Sequence, residues 1–267
     1  MKRVPRETSR VVAIVNQKGG VGKSTTTVNL GACLAVLGKR VLVVDVDPQG
    51  NTTTGLGIDK RRIAKDVYDL LLHRAAANEV IYPTEVPGLE IIPATLNLAG
   101  AEIELVSALS REARLKLALD ALAPAYDYVF IDCPPSLGLL TINAMTAADW
   151  VIIPVQAEYY ALEGLAQLTT VLGRVREALN PSLQIMGVLV TMVDARTNLA
   201  VDVIDEVSRY FPSQVFRTRI PRNVRLSEAP SFGKPAILFD AKSRGAQAYL
   251  ALAKEVAGDS ALQEVGS

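Results

Sequence analysis

The chain has 267 residues, with 28 Lys+Arg balanced by 28 Asp+Glu and a hydrophobic fraction of 49%, so it is long enough to bury a core without disulfide or metal staples. Two cysteines and a single histidine, His73, are too few for a Cys-rich zinc site, a disulfide framework or a multi-histidine metal centre. Zero net charge excludes a uniformly basic nucleic-acid coat while permitting a local basic patch, and no apolar run reaches the roughly 18 residues of a membrane span.

Residues 1–10 form a basic leader, MKRVPRETSR, with no apolar segment of signal-peptide type behind it. The apolar run Val11–Asn16 predicts a strand buried on both faces of a parallel sheet. A helix is expected from about Lys23 to Leu37, with Gly38 as its left-handed terminator. Further buried strands are expected at Val41–Asp45, 89–93, 127–132, 150–155 and 185–191. Helical stretches fall near 101–122, 159–179, 198–210 and 243–257. This alternation predicts an α/β fold, a single-domain, doubly wound and mostly parallel sheet with helices on both faces. Ligands of such sheets sit beyond the carboxyl ends of the strands. No linker or repeat divides residues 11–257, and the tail 258–267 is expected to be disordered. The basic run Lys60, Arg61, Arg62 and Lys65, in the less regular stretch 48–88, reads as a solvated face.

The strongest chemical signal lies between the first strand and the first helix: Lys18, Gly19, Gly20, Val21, Gly22, Lys23, Ser24 and Thr25. Glycines let the backbone bend so that several N–H groups face one anion. The following helix contributes its positive N-terminus, Lys23 a full charge, and Ser24 a hydroxyl suited to Mg²⁺. The loop is thus of P-loop NTPase type, with one departure. Where G-x-x-x-x-G-K-[ST] asks for glycine, this chain has Gln17, and Lys18 follows as a second lysine. Asp45-Val46-Asp47-Pro48-Gln49-Gly50-Asn51 follows the second strand. A carboxylate there can orient or deprotonate an attacking water. The apolar strand ending at Asp132 has the Walker B form, in which the carboxylate holds Mg²⁺ through a water.

The sequence K-G-G-V-G-K-S-T resembles the deviant Walker A loop of ParA/MinD-type ATPases. The resemblance implies that Lys18 reaches across a dimer interface to the nucleotide of the other subunit, so that association and ATP binding are linked. It assigns the catalytic aspartate role to Asp47, alongside Lys18 and Lys23, and leaves Asp45 as structural. It extends through PPSLGLLTINA at 134–144, PVQAEYYALEG at 154–164, TMVDARTNLA at 191–200 and IPRNVRLSEAPSFGKP at 220–235, which are similar to the chromosomal ParA (Soj) branch. The phosphate loop begins too early for the N-terminal helix-turn-helix domain of larger plasmid relatives. The acidic tail, with Glu255, Asp259 and Glu264 and no Lys or Arg, is unlike the basic membrane helix of MinD-type relatives.

In that branch the implied activity is an ATPase for chromosome or plasmid partitioning. An ATP- and Mg²⁺-dependent sandwich homodimer binds DNA non-specifically and is released by hydrolysis, which a ParB-type centromere-binding protein stimulates. The expected location is the cytoplasm, on the nucleoid. Arg217 to Arg244 carries seven Lys/Arg against Glu228 and Asp240. With the resemblance, that segment reads as a DNA surface whose phosphate contacts carry affinity without sequence information. The candidate contacts are Arg196, Arg222, Arg225, Lys242 and Arg244. The adenine is expected near Met192 and Pro221–Asn223, where Asn223 either bonds the base edge or caps a turn. Two competing functions fit these residues less well. An amide-forming metabolic enzyme needs a small-molecule pocket beside the γ-phosphate, and no residues point to one. An Fe–S role for Cys133 needs more thiolates than the chain has, and Cys33 falls among core leucines.

Overall fold

The computed structural model describes residues 9–122, 125–158, 161–194 and 198–258, and only the backbone of 161–163 and 198–200. Arg196, most of the basic leader and residues 259–267 of the tail lie outside the described residues. The elements are β1 (Arg10–Ile14), α1 (Lys23–Val36), β2 (Val41–Asp45), α2 (Asn51–Gly55), α3 (Val67–Leu71), β3 (Tyr82–Pro83), β4 (Leu89–Ile92), α4 (Leu98–Glu104), α5 (Arg114–Leu122), β5 (Tyr128–Asp132), α6 (Leu139–Ala147), β6 (Trp150–Gln156), α7 (Ala161–Ala178), β7 (Gln184–Thr191), α8 (Asn198–Tyr210), α9 (Val224–Glu228), α10 (Ala236–Phe239) and α11 (Arg244–Ala257).

Seven strands form one sheet in the order β3-β4-β2-β5-β1-β6-β7. Every pairing is parallel except that of β3 with β4 at one edge. Because side chains alternate across a strand, β1 sends Val12 and Ile14 to one face and Val11 and Ala13 to the other. The first pair joins a core with Leu30, Leu34 and, from α11, Tyr249 and Leu252. The second joins Leu98 and Leu115 from α4 and α5, with Leu140, Leu168 and Val207 from α6, α7 and α8. Both faces are covered, which is why the strands read as near-continuous apolar runs.

One expected element differs. Residues 101–122 are not a single helix: α4 ends in a 3-10 turn at Leu105–Ser107, and α5 begins only at Arg114. Ser110 between them is left-handed at φ 52°. Asn143 of α6 then caps the gap, its Oδ1 accepting from the Leu115 N–H at 3.2 Å and its Nδ2 donating to the Arg111 carbonyl at 2.8 Å.

Candidate functional site

The carboxyl ends of β1, β2 and β5 meet at one edge of the sheet and carry the three motifs together. The phosphate loop leaves β1 and enters α1 through Gly20 and Gly22, at φ 76° and 91°. L-residues other than glycine are strained there. The loop is closed from β7, where the Thr191 hydroxyl donates to the Val21 carbonyl at 2.8 Å. Lys23 is buried, and its ammonium donates to the Lys18 carbonyl at 3.0 Å. Loss of water lowers the Lys23 pKa, against the opposing pull of Asp132 and Asp47.

The parallel register of β2 and β5 sets Asp45 beside Asp132. Both are fully buried, and desolvation raises both pKa values. For Asp45 the neighbouring Asp132 charge adds to the rise. Asp45 accepts from the Thr53 N–H and hydroxyl at 2.8 and 2.7 Å and from the Asp47 N–H at 3.2 Å. Its oxygens are thus committed to holding the loop. Asp132 accepts from the Thr52 hydroxyl at 2.7 Å and the Thr27 hydroxyl at 3.3 Å, and the nearby Ser24 hydroxyl offsets part of the rise in its pKa. Ser24 and Asp132, expected to share Mg²⁺, therefore lie in the same part of the site. A hydroxyl and a buried carboxylate at the phosphate loop form a hard-oxygen donor set of the kind Mg²⁺ takes beside phosphates. Asp47 is buried and accepts from the Gln49 N–H at 2.9 Å, one bond of a loop that turns through Gly50 into α2.

A cavity of about 760 Å³ runs from this edge, within the size range of nucleotide-sized pockets. It is lined by Gly19, Gly20, Gly22, Lys23, Ser24, Thr25 and Asp47 at one end and by Met192, Pro221, Arg222 and Asn223 at the other. The candidate phosphate and adenine residues thus face one space, except Lys18 and Val21, which line a different cavity. Met192 is left-handed at φ 53°, an uncommon conformation for a long side chain and a mark of local constraint. Asn223 takes the capping alternative: its Oδ1 accepts from the Arg225 N–H at 3.0 Å to start α9. Asn223 is also one of the residues that line the cavity.

Lys18 does not join Lys23. Its ammonium pairs with Glu158 at 3.1 Å, and both side chains remain nearly half-exposed. Gln156 also donates to Glu158. A second, smaller cavity of about 570 Å³ borders Lys18, with Gln17, Pro135, Ser136, Leu137 and Gln167 among its walls. Of the basic candidates, Arg222, Lys242 and Arg244 are exposed and carry no ion pair among the described residues. Arg225 is exposed too, but it pairs with Glu228 at 2.8 Å and Asp240 at 3.4 Å. Arg222 also borders the nucleotide-sized cavity, so it stands at the boundary of two expected functions.

Sequence reasoning passed over Thr52, Thr53 and Glu158. The run Thr52-Thr53-Thr54 directly after the Asp47 loop was the available signal for the first two. Glu158, just past the apolar strand β6, lacked one, because its partner Lys18 is 140 residues away.

A family model described as an AAA domain matches residues 9–185. The sporulation initiation inhibitor protein Soj of Bacillus subtilis is 63% identical over 250 residues, covering 94% of this chain and 99% of that protein. The chromosome partitioning protein ParA of Myxococcus xanthus is 56% identical, covering 92% and 87%. Among solved structures, cobyrinic acid a,c-diamide synthase from Mycobacterium smegmatis, with bound ADP and magnesium, superposes with a TM-score of 0.83 at 39% identity, covering 93% and 94%. MinD from Pyrococcus horikoshii, complexed with Mg-ADP, gives 0.77 at 27% identity, covering 97% of this chain and all of that one. No described helix is long and apolar enough to cross a membrane. With the doubly lysine-bearing phosphate loop, the Asp45–Asp47–Asp132 cluster and these relatives in agreement, the chain belongs to the Soj branch of the ParA/MinD family of P-loop ATPases.

Proposed function

We propose that this ATPase partitions DNA by ATP-linked dimerisation. ATP lies along the larger cavity, its triphosphate on Gly19–Thr25 and its base toward Met192, Pro221 and Asn223. Ser24 and Asp132 hold Mg²⁺, which neutralises phosphate charge when bound. Lys23 exchanges its bond to the Lys18 carbonyl for one to a phosphate, a stronger charge-assisted contact. Asp47 orients the attacking water and accepts its proton. Lys18 leaves Glu158 and reaches the nucleotide of a second copy. Two copies joined in this way unite their basic segments, Arg222, Arg225, Lys242 and Arg244 with Arg196, on one DNA footprint. More neutralised phosphates raise affinity steeply and without sequence preference. Hydrolysis then parts the copies and frees the DNA, and a ParB-type partner accelerates that step.

The observation that carries this is the divergence of the two loop lysines. Lys23 is buried in its own phosphate site, whereas Lys18 is held at an exposed edge by a surface ion pair, of the kind worth only about 0–1 kcal/mol. Such a pair is readily exchanged for a triphosphate. The test is Lys18→Ala in sedimentation equilibrium with a non-hydrolysable ATP analogue. Loss of the ATP-linked dimer with ATP binding retained is expected; a dimer of unchanged strength would refute the exchange.

A metabolic alternative draws on the diamide synthase likeness and the cavity beside Lys18. It requires ATP turnover that depends on a carboxylate metabolite. Turnover raised by DNA together with a ParB-type partner, and by no such metabolite, decides for partitioning.

A further inference from the structure

Helix α4 and the 3-10 turn that continues it are apolar on two sides. Leu98, Ala101 and Leu105 are fully buried in the sheet core. On the opposite side Ala99, Ile103 and Val106 recur at spacings of four and three, flanked by Leu96 just before the helix and Leu109 just after the turn. All five are exposed, Ile103 by 78% and Leu109 by 87%. A surface helix normally presents charge there, and a contiguous exposed apolar stripe marks a contact surface.

We propose that this stripe packs against the same stripe of a second copy, as part of the ATP-linked dimer. The proposal rests on the sandwich reading above and extends it to residues that do not line the nucleotide-sized cavity. Three observations select a second copy as the occupant. First, the stripe adjoins the face that carries Lys18. Glu102 of α4 lies so close to Gly138 that a Cβ there would stand 2.5 Å from its Oε1. The residues just before Gly138, Pro135 to Leu137, line the cavity beside Lys18. Second, the stripe residues are uncharged, and the flanking acids Glu104 and Glu112 are already paired with Arg74 and Arg111. The stripe itself therefore sets no like charge against its own copy in a two-fold contact, which brings identical patches together. Third, the 3–4 spacing is that of a helix packing its knobs against another helix.

The test uses the full chain with a non-hydrolysable ATP analogue and Mg²⁺. Ile103→Glu should weaken dimerisation by about tenfold or more, since like charges then face each other across the axis, with nucleotide binding unchanged. In a second variant, Val106→Cys supplies the exposed thiol that the native protein lacks, because Cys33 and Cys133 are both buried. A short bis-maleimide should then trap a dimer with the ATP analogue and none with ADP. If the wild type dimerises while Ile103→Glu dimerises equally well and Val106→Cys stays uncrosslinked, the interface is overturned and the sandwich stands. Loss of stimulation by a ParB-type protein, with dimerisation intact, also overturns it and gives the stripe to that partner. A wild type that stays monomeric with ATP overturns both.

Discussion

Asp45, Asp47 and Asp132 stand within one edge of the sheet, and their surroundings divide the work among them. Asp45 spends its oxygens on Thr53 and the Asp47 N–H. Asp132 is bound by hydroxyls, which water or a metal can replace, and Asp47 opens on the nucleotide-sized cavity. Asp47→Ala should therefore bind ATP normally and lose at least about 100-fold in turnover, the scale of a general base. Steady-state phosphate release checks this, and wild-type turnover would remove Asp47 from the mechanism. The two thiols offer an independent check. Burial pushes Cys33 up to about 12 and raises Cys133 well above the ordinary thiol range. Only the thiolate reacts, so at pH 8 the folded protein should resist maleimide and take up two equivalents in denaturant. Fast labelling of the native chain would contradict the buried placement. The three aspartates and both lysines were legible in the sequence because they sit at fixed offsets from strand ends. Glu158 and the threonines that tie the carboxylates in place were not, since their partners are distant in the chain.

At the level of elements, the buried strands announced themselves as apolar runs, and α1 by its glycine-bounded length, ending as expected at Gly38, φ 82°. The expected helix over 101–122 was the exception. Its composition suits a continuous helix, and what breaks it is the left-handed Ser110 together with the Asn143 side chain arriving from α6. No local pattern reveals a cap supplied by residue 143. Asn143→Ala would leave the Arg111 carbonyl and Leu115 N–H without partners and should cost about 1–3 kcal/mol, measured by urea unfolding. An unchanged midpoint would show that water replaces the cap. The order of the strands, with β3 antiparallel at the edge, was likewise beyond reach, because the two-residue β3 carries no usable periodicity.

At the scale of the molecule, the basic segment and the helix that follows it are tied to the elements that frame the nucleotide-sized cavity. Asn29 of α1 accepts from the Ala236 N–H at 2.7 Å, and Thr26 bonds the Tyr249 hydroxyl at 3.1 Å. Beyond α2, Gly57 and Gly233 approach so closely that a Cβ on Gly233 would stand 2.8 Å from the Gly57 Cα. Both are left-handed, at φ 80° and 62°, so neither position tolerates a larger residue without strain. Glu255 of α11 anchors the start of the segment through the Arg217 and Thr218 N–H groups, at 2.8 and 3.0 Å. These contacts join α1 and the stretch after α2 to the segment that carries Arg222, Arg225, Lys242 and Arg244. The decisive measurement is a titration of the protein onto a fluorescent duplex of arbitrary sequence, without nucleotide, with ADP–Mg²⁺ and with ATP–Mg²⁺, at two salt concentrations. Binding that is tight only with ATP, insensitive to sequence and steeply weakened by salt is the expected result. Equal affinity in all three nucleotide states, or none in any, would contradict a nucleotide-controlled DNA carrier.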